Sequence, residues 1–311
     1  MDRRKKVRQS EFRRKCIQLV SALLYNANFS GFASGTIYKG DPKGMCVPGL
    51  NCYSCPGAVA ACPLGSLQNA LSAMPNKLPL YIVGLLMLMG LALGRLICGF
   101  LCPFGLIQEL LHKIPGKKIK KGRWSRKLSW LKYAVLAVFV VAIPLWYAFT
   151  SGYPLPGFCK YICPAGTLEG GIPLVAMREE YRSLAGWLFT WKTGLCAAIL
   201  LLCVFCYRAF CRFLCPLGAI YSLFSRVALL AFRVDGGKCD GCGLCTRTCG
   251  MDVEHVGDRE CIQCGRCRHI CPRGAIYFGW ERNKQTHEHE KNDAGAAADP
   301  GAAAGGMPER K

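Results

Sequence analysis

Apolar residues gather along this chain into four runs, at 16–38, 78–98, 133–158 and 193–207 with its flanks. A helix crosses the hydrocarbon core of a bilayer with about 20 mostly apolar residues, roughly 17–25 being workable. The second and third runs reach that length almost free of charge, so the pattern predicts membrane spans rather than core helices of a soluble protein. The first run is the most interrupted, by Asn26, Asn28, Ser30 and Gly31. Basic segments stay cytoplasmic; MDRRKKVRQSEFRRK precedes the first run and HKIPGKKIKKGRWSRK joins the second to the third. The N-terminus and C-terminus are then inside, with outer loops at about 39–77 and 151–192. Trp130, Trp146, Trp187 and Trp191 fall near span ends, where an aromatic belt would hold them.

The span ends carry a recurring phrase. Cys-Pro-x-Gly occurs at Cys62, Cys102, Cys163, Cys215 and Cys271, and GRLICGFLCPFGLI matches YRAFCRFLCPLGAI closely enough to be an internal repeat. Proline at the first helical position has no N–H to satisfy and presets the backbone. The thiolate of the preceding cysteine then sits at the N-cap, where free N–H groups and the helix dipole favour negative charge. The expected architecture is an all-α four-helix membrane domain of two repeated two-helix units (1–233), two such units packing about an axis along the membrane normal. A small α+β two-cluster ferredoxin-like domain (234–282) and a disordered Ala/Gly-rich tail (283–311) follow.

The strongest chemical signal lies past residue 234. Cys239-x2-Cys242-x2-Cys245-x3-Cys249 is followed by Cys261-x2-Cys264-x2-Cys267-x3-Cys271-Pro272, the two-cluster ferredoxin spacing, in which the fourth cysteine of each run serves the other cluster. One [4Fe-4S] cluster is thus expected on Cys239, Cys242, Cys245 and Cys271, the other on Cys261, Cys264, Cys267 and Cys249. Two four-cysteine zinc sites are the competing reading, and they leave the third cysteine and the Cys-Pro ending unexplained. Gly250 stands where proline usually follows the first run.

On the inner face Cys98, Cys102, Cys211 and Cys215 make four ligands for a further Fe–S centre if the repeats pack together. On the outer face Cys46, Cys52, Cys55, Cys62, Cys159 and Cys163 offer six, enough for one cluster with two left over; disulfides are the alternative there. Cys16, Cys196, Cys203 and Cys206 lie inside spans without the Cys-Pro context and read as small apolar fillers.

Composition then narrows the function classes. The formal net charge is +21 with 22 cysteines, 52% hydrophobic residues and a mean hydropathy of +0.21. Thiolates on metal offset much of that charge, and the hydropathy favours a membrane over nucleic acid. No cleavable signal peptide is expected. None of the five histidines lies within a span, against a membrane haem held by paired His, and no acidic residue lies mid-span, against a proton pump. His287 and His289 belong to the polar tail. No phosphate-binding loop or dinucleotide fingerprint occurs.

Paired C-x3-C-P motifs, spans and ferredoxin spacing together resemble the membrane polyferredoxins of the NapH, NosR and CcoG type, over roughly residues 13–280. The resemblance implies an electron-transfer subunit rather than a stand-alone enzyme, in the cytoplasmic membrane. Such a subunit relays electrons between a cytoplasmic donor or acceptor and a quinone, an outer centre or a partner reductase. A redox or metal assembly factor is the alternative. Membrane lipid and redox partner proteins are the expected partners. The outer motifs GMCVPGLNCYSCPGAVAACPLG and FCKYICPAG depart from the relatives, and no flavin-attachment domain of the NosR kind is evident.

Overall fold

The structure is a computed structural model that describes residues 3–72, 80–119, 122–183 and 185–279. The expected tail, with His287 and His289, lies outside the described residues.

The chain is mostly helical. Two described helices, Trp124–Thr150 and Trp187–Phe205, are long and apolar enough to cross a membrane, and only 28% and 17% of their most apolar stretches are covered by the rest of the protein. A core helix of a soluble protein would bury such a surface. The segment ahead of the first is tied to the end of the second: the Ile119 N–H bonds the Phe205 carbonyl (3.0 Å) and Lys118 Nζ the Val204 carbonyl (2.7 Å). Within the first, a π-helical stretch, Leu136–Ala142, comes just before Pro144. Proline has no N–H for the preceding turn and crowds its carbonyl, and the wider turn takes up the misfit.

Two expected spans come out differently. The third apolar helix, Leu80–Ala92, has only 13 residues and stops ahead of Gly94, whose φ of +50° turns the chain into the Cys98 motif. Over the run at 16–38 the chain forms the end of one helix, Arg3–Tyr25, and a short second one, Phe29–Ser34. The polar face of the longer helix, Arg14, Gln18 and Ser21, is buried, while Phe12, Leu19, Val20, Leu23 and Leu24 point outward.

Residues 231–279 form a small α+β lobe. Ala231–Val234 pairs antiparallel with Ile276–Gly279, Phe232 opposite Phe278. Between them two short helices, Leu244–Arg247 and Arg266–Ile270, each start behind a left-handed glycine, Gly243 and Gly265. A side chain at Gly265 would also meet the Phe232 ring at 2.6 Å.

Buried ion pairs join these parts. Glu109, on the Pro103–Leu111 helix, receives Arg14 (Nη1 to Oε1, 3.0 Å), Arg208 (Nε to Oε1, 2.9 Å) and the Tyr207 hydroxyl (2.8 Å). Glu260 of the lobe receives Lys132 at 2.6 and 2.8 Å and Arg95 at 3.3 Å. Arg208 has a left-handed backbone (φ 50°), a conformation disfavoured for residues with a Cβ, and its guanidinium is fixed by Glu109 and the Cys98 carbonyl.

Burial alone would raise the Glu109 carboxyl; Arg208, Arg14 and Tyr207 instead hold it down to about 2. Removing one member of a buried pair costs about 3–5 kcal/mol. Glu109→Gln in the full chain should therefore lower the thermal unfolding midpoint clearly at neutral pH. Because the folded pKa is depressed, that contribution is complete above the ordinary value of 4.5 and fades as pH falls toward about 2. Unfolding midpoints of wild type and variant should accordingly converge over that range, and parallel curves would show that the ion pair contributes nothing.

Candidate metal centres

Of the ferredoxin-type cysteines, Cys245, Cys249, Cys261, Cys264 and Cys267 line one cavity, closed by Tyr207, Phe232, Met251 and Ile262. Four of these belong to the one set that the sequence spacing gives, and Cys245 to the other. The other set is more open: Cys239 and Cys242 are exposed, and Cys245 and Cys271 half-buried. Arg273, two residues past Cys271, reaches Asp240 (3.5 Å), whose other oxygen accepts the Cys242 N–H (3.4 Å), so the distant fourth cysteine comes back to the first loop.

The inner four lie in the core. Cys98, Cys102, Cys211 and Cys215 are all under 10% exposed. Burial pushes the Cys102 thiol up to about 12, with Cys211 and Cys98 adding to the push; burial, Cys211 and Cys98 also push the Cys215 thiol well up. Buried thiols that resist ionisation in this way are relieved when cationic metal takes the place of their protons. The Cys-Pro device has the form anticipated from sequence. Cys102 and Cys215 are N-caps with extended backbones ahead of Pro103 and Pro216, and the Gly218 N–H donates to Cys215 Sγ at 3.3 Å.

Two features of this site had no signal in the cysteine pattern. Gln108 donates through Nε2 to Cys211 Sγ at 3.0 Å and accepts the Phe210 N–H at 3.1 Å. Arg95 is fully buried, with Cys98 and Cys211 among its charged neighbours; its Nε and Nη2 have no acceptor among the described residues. A buried guanidinium edge with no acceptor suits an anionic centre. Cys203 and Cys206, read as fillers, pack in the same core, Cys203 donating to Gln108 Oε1 (3.5 Å).

Of the outer six, Cys52, Cys62, Cys159 and Cys163 are drawn together. A Cβ on Gly166 would lie 3.6 Å from Cys163 Sγ and 3.7 Å from Cys52 Sγ, and one on Gly65 3.9 Å from Cys159 Sγ and 4.0 Å from Cys62 Cβ. Cys46 turns to the Ser66 hydroxyl (3.3 Å). All described cysteines are free thiols. Among the described residues no three His, Cys, Asp or Glu side chains meet closely enough to hold a single metal ion.

A ferredoxin-like lobe on a helical core of paired Cys-Pro motifs defines an iron–sulfur electron-transfer protein. Two families described as 4Fe-4S binding domains match the chain, one over residues 78–122, 133–172 and 187–234 and the other over 256–277. The chain is 31% identical to protein MJ0750 of Methanocaldococcus jannaschii, over 71% of this chain and 84% of that protein, and 31% identical to MJ0749 of the same organism, over 60% and 64%. It is 25% identical to the ferredoxin-type protein NapH of Haemophilus influenzae, over 66% and 69%. The chain belongs to the NapH and NosR family of ferredoxin-type proteins, and [4Fe-4S] clusters are its cofactors. No solved structure matches it.

If the inner four share one centre, Cys98→Ser and Cys215→Ser should each remove the same electron paramagnetic resonance signal from anaerobically purified protein while the ferredoxin signals persist. Loss of two different signals would show that the repeats do not ligate together.

Proposed function

We propose that the chain is a multi-pass electron relay of the cytoplasmic membrane, in which the ferredoxin-like lobe exchanges single electrons with a centre on Cys98, Cys102, Cys211 and Cys215. The ligands of the lobe are the two sets given by the spacing: Cys239, Cys242, Cys245 and Cys271, and Cys261, Cys264, Cys267 and Cys249. The clusters supply one-electron chemistry with no bond made or broken.

The observation that carries this reading is how the lobe sits on the core. Ile262, next to ligand Cys261, has its carbonyl against Gly99, where any side chain would collide with it, and Gly99 adjoins Cys98. Glu260, on the other side of Cys261, is held by Lys132 and Arg95, and Arg95 also donates to the Arg259 carbonyl. Tyr207 closes the lobe's cavity and hydrogen-bonds Glu109, on the helix that starts after Cys102. Gln108 and Arg95 direct hydrogen-bond donors and positive charge at the inner set, which favours its reduced, more negative form.

Both transmembrane helices have one end beside this lobe: Arg126, at the start of the first, pairs with Asp258 (3.0 Å). Lys113, Lys117, Lys118 and Lys127 fall in the segment around the start of the first helix, and the positive-inside rule gives that end a cytoplasmic face. The outward apolar stripe of the Arg3–Tyr25 helix is then turned to lipid. A soluble donor or acceptor docks on the exposed Cys239 and Cys242 loop, and the far partner is a quinone or a membrane reductase.

Glu260→Gln tests the docking. Iron content should stay at the wild-type level, while the magnetic interaction between the inner centre and the nearer ferredoxin centre weakens or vanishes in reduced samples. Wild-type protein without any such interaction would sink the relay.

A further inference from the structure

Gln108 is not unique. It stands six residues after Cys102; Gln68 stands six residues after Cys62. Gln108 Nε2 donates to Cys211 Sγ at 3.0 Å and to the Phe104 carbonyl at 3.3 Å, and its Oε1 accepts the Phe210 N–H at 3.1 Å. Gln68 Nε2 donates to Cys159 Sγ at 3.2 Å and to the Leu64 carbonyl at 3.2 Å, and its Oε1 accepts the Phe158 N–H at 2.9 Å. Both glutamines are completely buried. The Gly166 N–H donates to Cys163 Sγ at 3.3 Å, as that of Gly218 does to Cys215 at the same distance. The outer cysteines are therefore surrounded by the same donors, at the same sequence offsets, as the inner ones.

One ligand is displaced. The residue four before Cys62, where the inner motif has Cys98 ahead of Cys102, is Ala58. Cys52 fills the vacancy from the preceding loop. Its Sγ lies 3.7 Å and 3.3 Å from the positions that side chains on Gly166 and Gly170 would take, so both glycines keep space for it. The Cys52 N–H is fixed to Glu169 Oε2 at 2.8 Å. Glu169 lies on a π-helical stretch, Gly166–Gly171, a local distortion frequent at functional sites.

We propose that Cys52, Cys62, Cys159 and Cys163 hold a further cubane iron–sulfur cluster, with Gln68 as its positioning hydrogen-bond donor, and that Cys46 and Cys55 are not ligands. The buried Tyr221 lies between the two quartets, with Cys98, Cys62, Cys102 and Cys215 as its charged neighbours and its hydroxyl on the Pro48 carbonyl at 2.8 Å. A single electron passing from the inner to the outer centre oxidises the first and reduces the second, with no proton involved. In that use the inference rests on the relay reading, but the presence of the cluster does not.

The full chain, purified anaerobically in detergent, provides the test. Cys62→Ser and Cys163→Ser should each remove the same magnetic resonance signal and about four irons and four sulfides per chain, and Cys46→Ser and Cys55→Ser none. Gln68→Leu should keep the iron and lower the midpoint potential of that one signal, and Gln108→Leu that of the inner one. Zinc or a disulfide at the outer set, full iron content in the Cys62 and Cys163 variants, or iron lost with Cys46 or Cys55 would overturn the assignment. Where a cysteine variant fails to fold, Gln68→Leu decides, and an unshifted potential counts against the cluster. Iron counts are indifferent to electron flow, so this outcome is separate from that of the relay.

Discussion

Burying charge in a mostly apolar core is the constraint on which the rest of this structure depends. Arg14, Arg95, Lys132, Arg208 and Arg212 are all 3% exposed or less, and the carboxylates paired with them among the described residues are Glu109, Glu260 and Asp252. Ion pairs at such depth rarely repay their desolvation, and cations in excess are worse. Arg95 and Arg208 stand beside the inner cysteines, where metal-bound thiolates would supply the missing negative charge. Part of the formal charge of +21 is thus interior rather than a feature of the surface.

The same charges link segments far apart in sequence. Arg14 comes from the N-terminal helix, Glu109 from the helix after the second motif, Arg208 from the turn before the fourth and Glu260 from the lobe. A mostly helical core without these links would rest on apolar packing alone, which is non-directional. Polar contacts therefore fix which segments meet, and the cysteines are brought together as a result.

Much of this was legible in the sequence. The repeated Cys-Pro-x-Gly, the matching pair GRLICGFLCPFGLI and YRAFCRFLCPLGAI, and the ferredoxin spacing each reflect a local rule of backbone or ligand geometry, and local rules can be read from spacing. The N-terminal helix was not. Its apolar residues after Cys16 imitate a span, but amphipathic periodicity does not say which face is inside when the surroundings are lipid. Arg14, Gln18 and Ser21 turn inward because their partners, Glu109 and the carbonyls of Gly99 and Cys102, are buried there. Gln68 and Gln108 were missed for a similar reason: a glutamine in an apolar helix signals nothing until the sulfur it faces is in place.

The lobe against Gly99 ties access to the core to the seating of the lobe. Ile262 lies against the segment that carries Cys98, and the buried pairs of Glu260 with Lys132 and Arg95 hold the lobe in that place. Anything that enters or leaves the core past Gly99 must do so with those pairs broken.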